Sequence, residues 1–413
     1  MGLLKSSQQG NMPRDTVILF STRIIRLFCY GFLSVVLALY LSEAGYRESQ
    51  IGLLFTLTLL GDAVITLALT TSADRFGRKR TLLLGALLMV GAGIAFVLTR
   101  NIIVLMIAAI VGVISPSGNE IGPFLSIEQS SLSQLVPDRE RTRTFAWYNL
   151  AGSFATAGGA LAGGWLAQVL QNNAWSALDS YRIVLMGYAG GGVVLLLLFL
   201  NLTHSIEVEA TQHSAKRLLG LHRSRGVVFK LSSLFALDAF AGGLLVQSLI
   251  AYWFHIRFGV EAGTLGSIFF GANILAGISA LLAVRLARRF GLINTMVFTH
   301  IPSNILLILV PLMPTLPLAI AVLLMRFSIS QMDVPTRQSY TMAVVAPDER
   351  SAASGVTAIA RSIGAAISPA LTGWFFSIPL LLSLPFFLSG ALKIVYDLLL
   401  FREFRSIKPP EEH

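Results

Sequence analysis

Apolar residues in this chain gather in long unbroken runs, with neither the alternation of a half-buried strand nor the narrow stripe of a surface helix. Crossing a hydrocarbon core about 30 Å thick takes roughly 20 residues at about 1.5 Å rise each. Twelve runs of that order are legible, at 16–41, 51–71, 81–98, 102–125, 144–169 and 183–200, then at 227–253, 264–286, 293–312, 316–334, 351–376 and 380–400. Most are apolar on every side and rich in Gly and Ala, which lets helix backbones approach closely in lipid. The longest polar stretch, 201–226, is too short for a soluble domain. The pattern predicts an all-α membrane protein of twelve transmembrane helices.

Composition agrees. Of 413 residues, 54% are hydrophobic and 13% charged, with a mean hydropathy of +0.73, against about 25% charged in soluble proteins. The single cysteine, Cys29, excludes a disulfide framework or a Cys-cluster metal site. Basic residues set the orientation. If the N-terminus is cytoplasmic, the loops on the other side hold only Arg47, Arg100, Arg182 and Arg257, and most other Lys and Arg face the cytoplasm. A multi-pass protein of the cell membrane with both termini cytoplasmic is expected. The net charge of +10 then serves topology and anionic lipid, with no nucleic-acid partner implied.

The two halves echo each other at an offset near 210 residues. Val136-Pro137-Asp138-Arg139-Glu140-Arg141 answers to Ala346-Pro347-Asp348-Glu349-Arg350, and Arg75-Phe76-Gly77 to Arg289-Phe290-Gly291. Within the fifth run, Gly163-Gly164-Trp165 answers to Thr372-Gly373-Trp374 in the eleventh. Such a repeat predicts two pseudo-symmetric six-helix bundles around a central cavity, at 1–202 and 227–413, joined by a linker at 203–226.

The loop after the second run reads Asp74-Arg75-Phe76-Gly77-Arg78-Lys79-Arg80, and in it the chain resembles the major facilitator superfamily. Thr70 stands where that family's signature has a Gly. The resemblance implies a gate in which Asp74, supported by Arg75, Gly77, Arg78 and Lys79, engages the start of the eleventh span. Gly159-Ala160-Leu161-Ala162-Gly163-Gly164 is similar to the family's antiporter motif, with Ala160 in place of its Pro; the eleventh span keeps Pro369 beside Gly373. Gly159, Gly163, Gly164, Pro369 and Gly373 are thus expected at a close helix–helix seam. The basic residue typical of the fourth span in drug exporters has no counterpart between Val111 and Ser117.

Charges inside the spans need a reason, because each costs about 2.5 kcal/mol or more to insert. The acids are Asp62, Glu120, Asp238, Asp333 and Asp397, and the bases Arg23, Arg26, Arg326, Arg361 and Lys393. Placement suggests that Asp62 pairs with Arg361, that Arg26 and Asp238 face each other at equal depth, and that Lys393 pairs with Asp397 one turn on. Glu120, with no base within a turn in sequence, is the first candidate for carrying a proton, followed by Asp238, Asp62 and Asp333. Arg326, Ser330, Asp333 and Arg337 form one polar stripe along the tenth run. With Arg26, Tyr30, Asn119 and Arg361, Arg326 and Ser330 are the candidates for a substrate cavity. Pro116, Gly118, Gly122 and Pro123 should break the fourth helix there.

No Gly-Lys dipeptide occurs, which argues against direct ATP drive. No nucleophile–base or metal-ligand spacing is present, so neither an enzyme nor a cofactor is expected. The leading expectation is a secondary active transporter of a small organic solute, proton-coupled, exporting, and functional as a monomer. An anion carrier clamping its solute with Arg26 and Arg326 is an alternative, and a non-transporting sensor or scaffold is another of a different class.

Overall fold

The computed structural model describes residues 14–120, 122–207 and 222–405, with the side chains of Asp74, Arg75, Asp138, Arg139, Thr142, Pro347 and Ser351 outside that description. Among the described residues the fold is wholly helical. The first half holds α1 (Arg14–Ser34), α2 (Leu37–Glu43), α3 (Glu48–Phe76), α4 (Arg78–Leu98), α5 (Ile102–Val111), α6 (Phe124–Leu135), α7 (Asp138–Asn172) and α8 (Ala177–Leu200). The second holds α9 (Arg225–Gly243), α10 (Gln247–Phe258), α11 (Ala262–Phe290), α12 (Leu292–Leu309), α13 (Leu316–Phe327), α14 (Asp333–Ala343), α15 (Arg350–Phe376) and α16 (Leu384–Phe404). Joined end to end, α1–α2, α5–α6, α9–α10 and α13–α14 are the first, fourth, seventh and tenth spans, and the other eight helices supply one span each.

Eight stretches among the described residues are long and apolar enough to cross a bilayer by length and composition. The long helices α7 and α15 carry Gly, Ala, Ser and Thr where those stretches carry Leu and Val. Their small residues let each pack closely on helices from both halves. Helix α7 packs on α1 of its own bundle and on α11 of the other; α15 packs on α9 and, across the seam, on α3. The outer pairs α4–α8 and α12–α16 correspond in the same way.

This pseudo-symmetry reaches single glycines. Helices α3 and α11 both end in Phe followed by a left-handed Gly, Gly77 at φ 100° and Gly291 at φ 84°, a conformation that favours glycine at a helix end. A Cβ on Gly164 would lie 2.4 Å from the Ala262 carbonyl oxygen and 2.8 Å from the Gly266 Cα. Its counterpart Gly373 would meet the Glu48 oxygen at 2.3 Å and the Gly52 Cα at 2.8 Å. Gly159 and Gly163 press likewise on the Phe28 and Phe32 carbonyls of α1, while the Pro369 carbonyl lies against Gly52.

The breaks recur at matching places. Residues 112–123 interrupt the fourth span, with Gly118 and Gly122 at positive φ. The tenth span breaks as well, between Phe327 and Asp333, so the polar stripe expected on one continuous helix is a helix–turn–helix. Pro335 accounts for it: its ring opposes the carbonyl four residues back, at Gln331, and it has no N–H to donate. The Gln331 N–H turns instead to Ser279 Oγ of α11 at 3.2 Å.

Two carboxylates cap helices on the side of the chain termini. Glu207 accepts the Arg78 and Lys79 N–H groups at the start of α4, at 2.7 and 3.1 Å. Glu349 accepts from the His222, Arg223 and Ser224 N–H groups leading into α9. Its hydrogen bonds, that to Ser224 foremost, hold its carboxyl down at about 2, as expected of an acid at a positive helix end.

Candidate functional site

The inward-facing charges assemble into two clusters, one inside each bundle. In the first, α1 places Arg23 and Arg26 one turn apart, and the broken fourth span brings Glu120 and Glu128 to them. Arg26 is fully buried and donates through Nε to Glu120 at 2.7 Å and through its two terminal nitrogens to Glu128 at 2.8 and 2.7 Å. Arg23 pairs with the other Glu120 oxygen and stacks on the Tyr148 ring, 4.6 Å from its centroid. Glu128 also accepts from Thr22 at 2.9 Å and from the Tyr148 hydroxyl. Each buried charge therefore has a partner and additional hydrogen bonds, as burial in low dielectric demands.

Several expectations are corrected here. Glu120 is not without a base: the break folds it back onto two arginines that lie about a hundred residues away in sequence. Asp62 does not meet Arg361; it accepts from the Gly122 N–H at 2.5 Å and from Thr66 Oγ1 at 3.1 Å. It thereby pins the loop that carries Glu120. Tyr30 is fully buried within the bundle and is no cavity wall. Asn119, by contrast, is exposed, as is Asn149 of α7, which accepts from Arg23 at 3.4 Å. Glu128 was missed because the run of apolar residues ends at Leu125, and only the broken helix carries the chain's next turn back into the interior.

The second cluster centres on Asp238 of α9. Lys393 of α16 donates to it at 2.6 Å and Arg337 of α14 at 3.0 Å; Arg337 also bridges to Asp333 at 3.1 Å. Lys393 thus reaches Asp238 and not Asp397. Asp397 is held by His300 Nδ1 at 2.9 Å and Asn304 Nδ2 at 3.1 Å, both from α12, and neither was anticipated. Asp238 is satisfied inside its own bundle and does not face Arg26. Arg326 and Arg361 differ from every other inner cation: among the described residues neither makes an ion pair.

The gating residues are placed unevenly. The side chains of Asp74 and Arg75 lie outside the described residues. Arg78 is buried and donates to Ser130, Gln134 and the Ile206 carbonyl at 2.6, 2.6 and 3.1 Å. Lys79 caps the end of α8 through the Leu200 and Leu202 carbonyls at 2.8 and 2.7 Å. In these contacts both clamp the first bundle's own loops.

Hydrogen bonds between the bundles gather at the end opposite the chain termini. Gln247 donates to Ser34 Oγ at 2.7 Å, and Ser248 bonds the Ser34 and Pro116 carbonyls at 2.5 and 2.7 Å. Ser42 and Tyr252 meet at 3.0 Å, Trp165 donates to Ser267 at 3.0 Å, and the Ala370 N–H donates to Thr56 at 2.9 Å. With the glycine contacts at Gly164 and Gly373, they close that end. Asn119 and Asn149 sit on the other side of this seal.

The family model described as Major Facilitator Superfamily matches residues 19–369. An uncharacterized membrane protein of Saccharomyces cerevisiae, YJR124C, is 29% identical over 94% of this chain and 93% of its own. The quinolone resistance protein NorA of Staphylococcus aureus is 23% identical over 158 residues, covering 38% of this chain and 39% of its own. Among solved structures, a bacterial homolog of the human lysosomal transporter Spinster, in an inward-facing and occupied conformation, superposes with a TM-score of 0.73. That match is 17% identical and covers 95% of this chain and 96% of the other. With a fold of two matched six-helix bundles and a family match over most of its length, this chain belongs to the Major Facilitator Superfamily of membrane transporters.

Proposed function

We propose that the chain is a proton-coupled secondary active transporter that exports a small organic solute by alternating access. In this reading it works as a monomer in the cell membrane with both termini in the cytoplasm, and residues 1–202 and 227–413 are the rocking bundles joined by the linker 203–226. The observation that carries the reading is the division of labour in the interior. Charges are neutralised mainly within each bundle, while the seam between bundles is held at one end by glycine contacts and by hydrogen bonds that join neutral groups, apart from the one Tyr252 donates to Glu48. A seam without ion pairs among the described residues can part without stranding a charge in lipid. The partial likeness to a quinolone resistance protein is in keeping with an organic cargo.

The proton site in this reading is Asp62. Glu120 and Asp238 are each already bonded to two cations. Asp62 has only neutral donors, the Gly122 N–H and Thr66, with Glu120 and Tyr30 as its charged or titratable neighbours. Protonation there would weaken its hold on the loop 112–123 and so on the Glu120–arginine cluster. The test is flux of a panel of labelled aromatic solutes from reconstituted vesicles, with and without an imposed pH gradient. Asp62→Asn should exchange solute at a rate close to wild type but lose acceleration by the gradient; retained acceleration removes Asp62 from this role.

A further inference from the structure

The second bundle holds more positive than negative charge in its interior. Its inner cations are Arg326, Arg337, Arg361 and Lys393, and its inner carboxylates are Asp238, Asp333 and Asp397. Lys393 and Arg337 are taken up by Asp238 and Asp333, and Asp397 by His300 and Asn304. Arg326 and Arg361 are left over. Asp333 is an electrostatic neighbour of both, yet its carboxylate is already bonded to Arg337.

Unused polar atoms collect at the same place. Arg326 Nε is buried without a hydrogen-bond partner, and so is the Ser330 hydroxyl. Ser330 lies in the turn 328–332, where the tenth span loses its helix and the backbone is freest to meet a ligand, and Arg326 is in the last turn of α13 just before it. Arg326 has the Phe327 ring 4.9 Å from its guanidinium carbon, a contact that orients the fork without neutralising it. Charges largely withdrawn from water are normally paired, so a half-buried guanidinium without an ion pair, one turn in sequence from an unsatisfied hydroxyl, is suited to a counter-ion that arrives from outside.

We infer that the break in the tenth span is a binding site for the anionic group of the transported solute, with Arg326 and Arg361 as its cations and Ser330 as a hydroxyl donor. The inference rests on the transport reading above and narrows its substrate to organic anions. A guanidinium fork matches a carboxylate or a phosphate in two-point geometry, and these are the two forms the site would take. Arg26, the other arginine expected to clamp an anion, plays no part: Glu120 and Glu128 already occupy its donors.

The experiment is thermal unfolding of the purified full-length chain with benzoate, phenyl phosphate, benzyl alcohol or benzylamine at millimolar concentration. At least one of the two anions should raise the melting temperature, and the larger rise tells carboxylate from phosphate; the neutral and cationic analogues should not. Arg326→Gln and Arg361→Gln should weaken the apparent affinity at least about tenfold, the least expected for losing a charged hydrogen bond. Arg326→Lys, which keeps the charge and loses the fork, should fall between. Without ligand, Arg326→Gln should melt at or above wild type, because it removes a partly buried charge that has no ion pair among the described residues.

Equal stabilisation by benzyl alcohol or benzylamine overturns the proposal, as does an undiminished anion effect in Arg326→Gln, the absence of any rise with either anion, or a ligand-free Arg326→Gln that melts well below wild type. Anion binding through Arg326 in a chain that moves no solute in vesicles would leave this site standing and remove the transport reading. Flux of neutral solutes undisturbed by Arg326→Gln would do the reverse.

Discussion

Leucine at Gly164 or Gly373 should force the sealed end of the protein apart and shift the population toward the opposite conformation. At both positions a bare Cβ already falls within 2.4 Å of a carbonyl oxygen of the other bundle. Those oxygens belong to helix backbone, which cannot swing away as a side chain would. Overpacking of this kind costs about 1–3 kcal/mol where the surroundings must shift. Here the cost falls selectively on the state whose far end is closed, so about 1.4 kcal/mol corresponds to a tenfold change in the ratio of the two states. The readout is labelling of Asn149→Cys by a membrane-impermeant maleimide from the side opposite the termini. Labelling should accelerate at least about tenfold in Gly164→Leu and Gly373→Leu. Gly158→Leu is the control, since a Cβ there meets nothing within 4 Å. Unchanged labelling in both test variants would show that these glycines do not set the seal.

Loss of Arg26 should be the most damaging single change in the first bundle. Its guanidinium bridges Glu120 and Glu128, and it is fully buried. Arg26→Gln leaves Glu120 with Arg23 alone and Glu128 with only Thr22 and Tyr148, and breaking a buried pair from one side costs about 3–5 kcal/mol. Little folded Arg26→Gln protein should survive detergent extraction, judged by size-exclusion profile and melting temperature. Adding Glu128→Gln removes one of the stranded carboxylates and should recover most of the loss, because the penalty lies in the uncompensated charge and not in the missing contact. A double variant no better than the single one would mean that Glu128 is not the partner that matters.

The fold was legible in the sequence because lipid imposes a length on every apolar run, and because the repeat at Arg75-Phe76-Gly77 and Arg289-Phe290-Gly291 marks the same helix ends in both halves. The fourth-span break was legible too, from its prolines and glycines. The charge pairing was not. Asp62 with Arg361 and Lys393 with Asp397 are reasonable partners by depth and helical spacing, but depth fixes only one coordinate, and rotation about each helix axis decides the partner. Lys393 turns toward Asp238 of α9, and His300 of α12 takes Asp397. The broken tenth span was missed because Pro335 falls just past the apolar run 316–334, while its effect falls on Gln331 one turn earlier. Glu120 looked solitary because sequence distance hides α1, which crosses directly beside it.

In the proposed transport cycle, the seal at the end opposite the termini is one position of a two-position machine. Gln168 and Gly263 offer the place to hold it there: a Cβ on Gly263 would lie 3.1 Å from that of Gln168, across the seam between α7 and α11, within reach of a disulfide with a small adjustment. The native Cys29 is buried and leaves little background. In a chain carrying Gln168→Cys, Gly263→Cys and Asn149→Cys, the oxidised protein should react with an impermeant maleimide at position 149 only from the side of the termini, and after reduction from both sides in turn. Reaction from both sides while the bridge is closed, or from one side only once it is opened, would contradict the account.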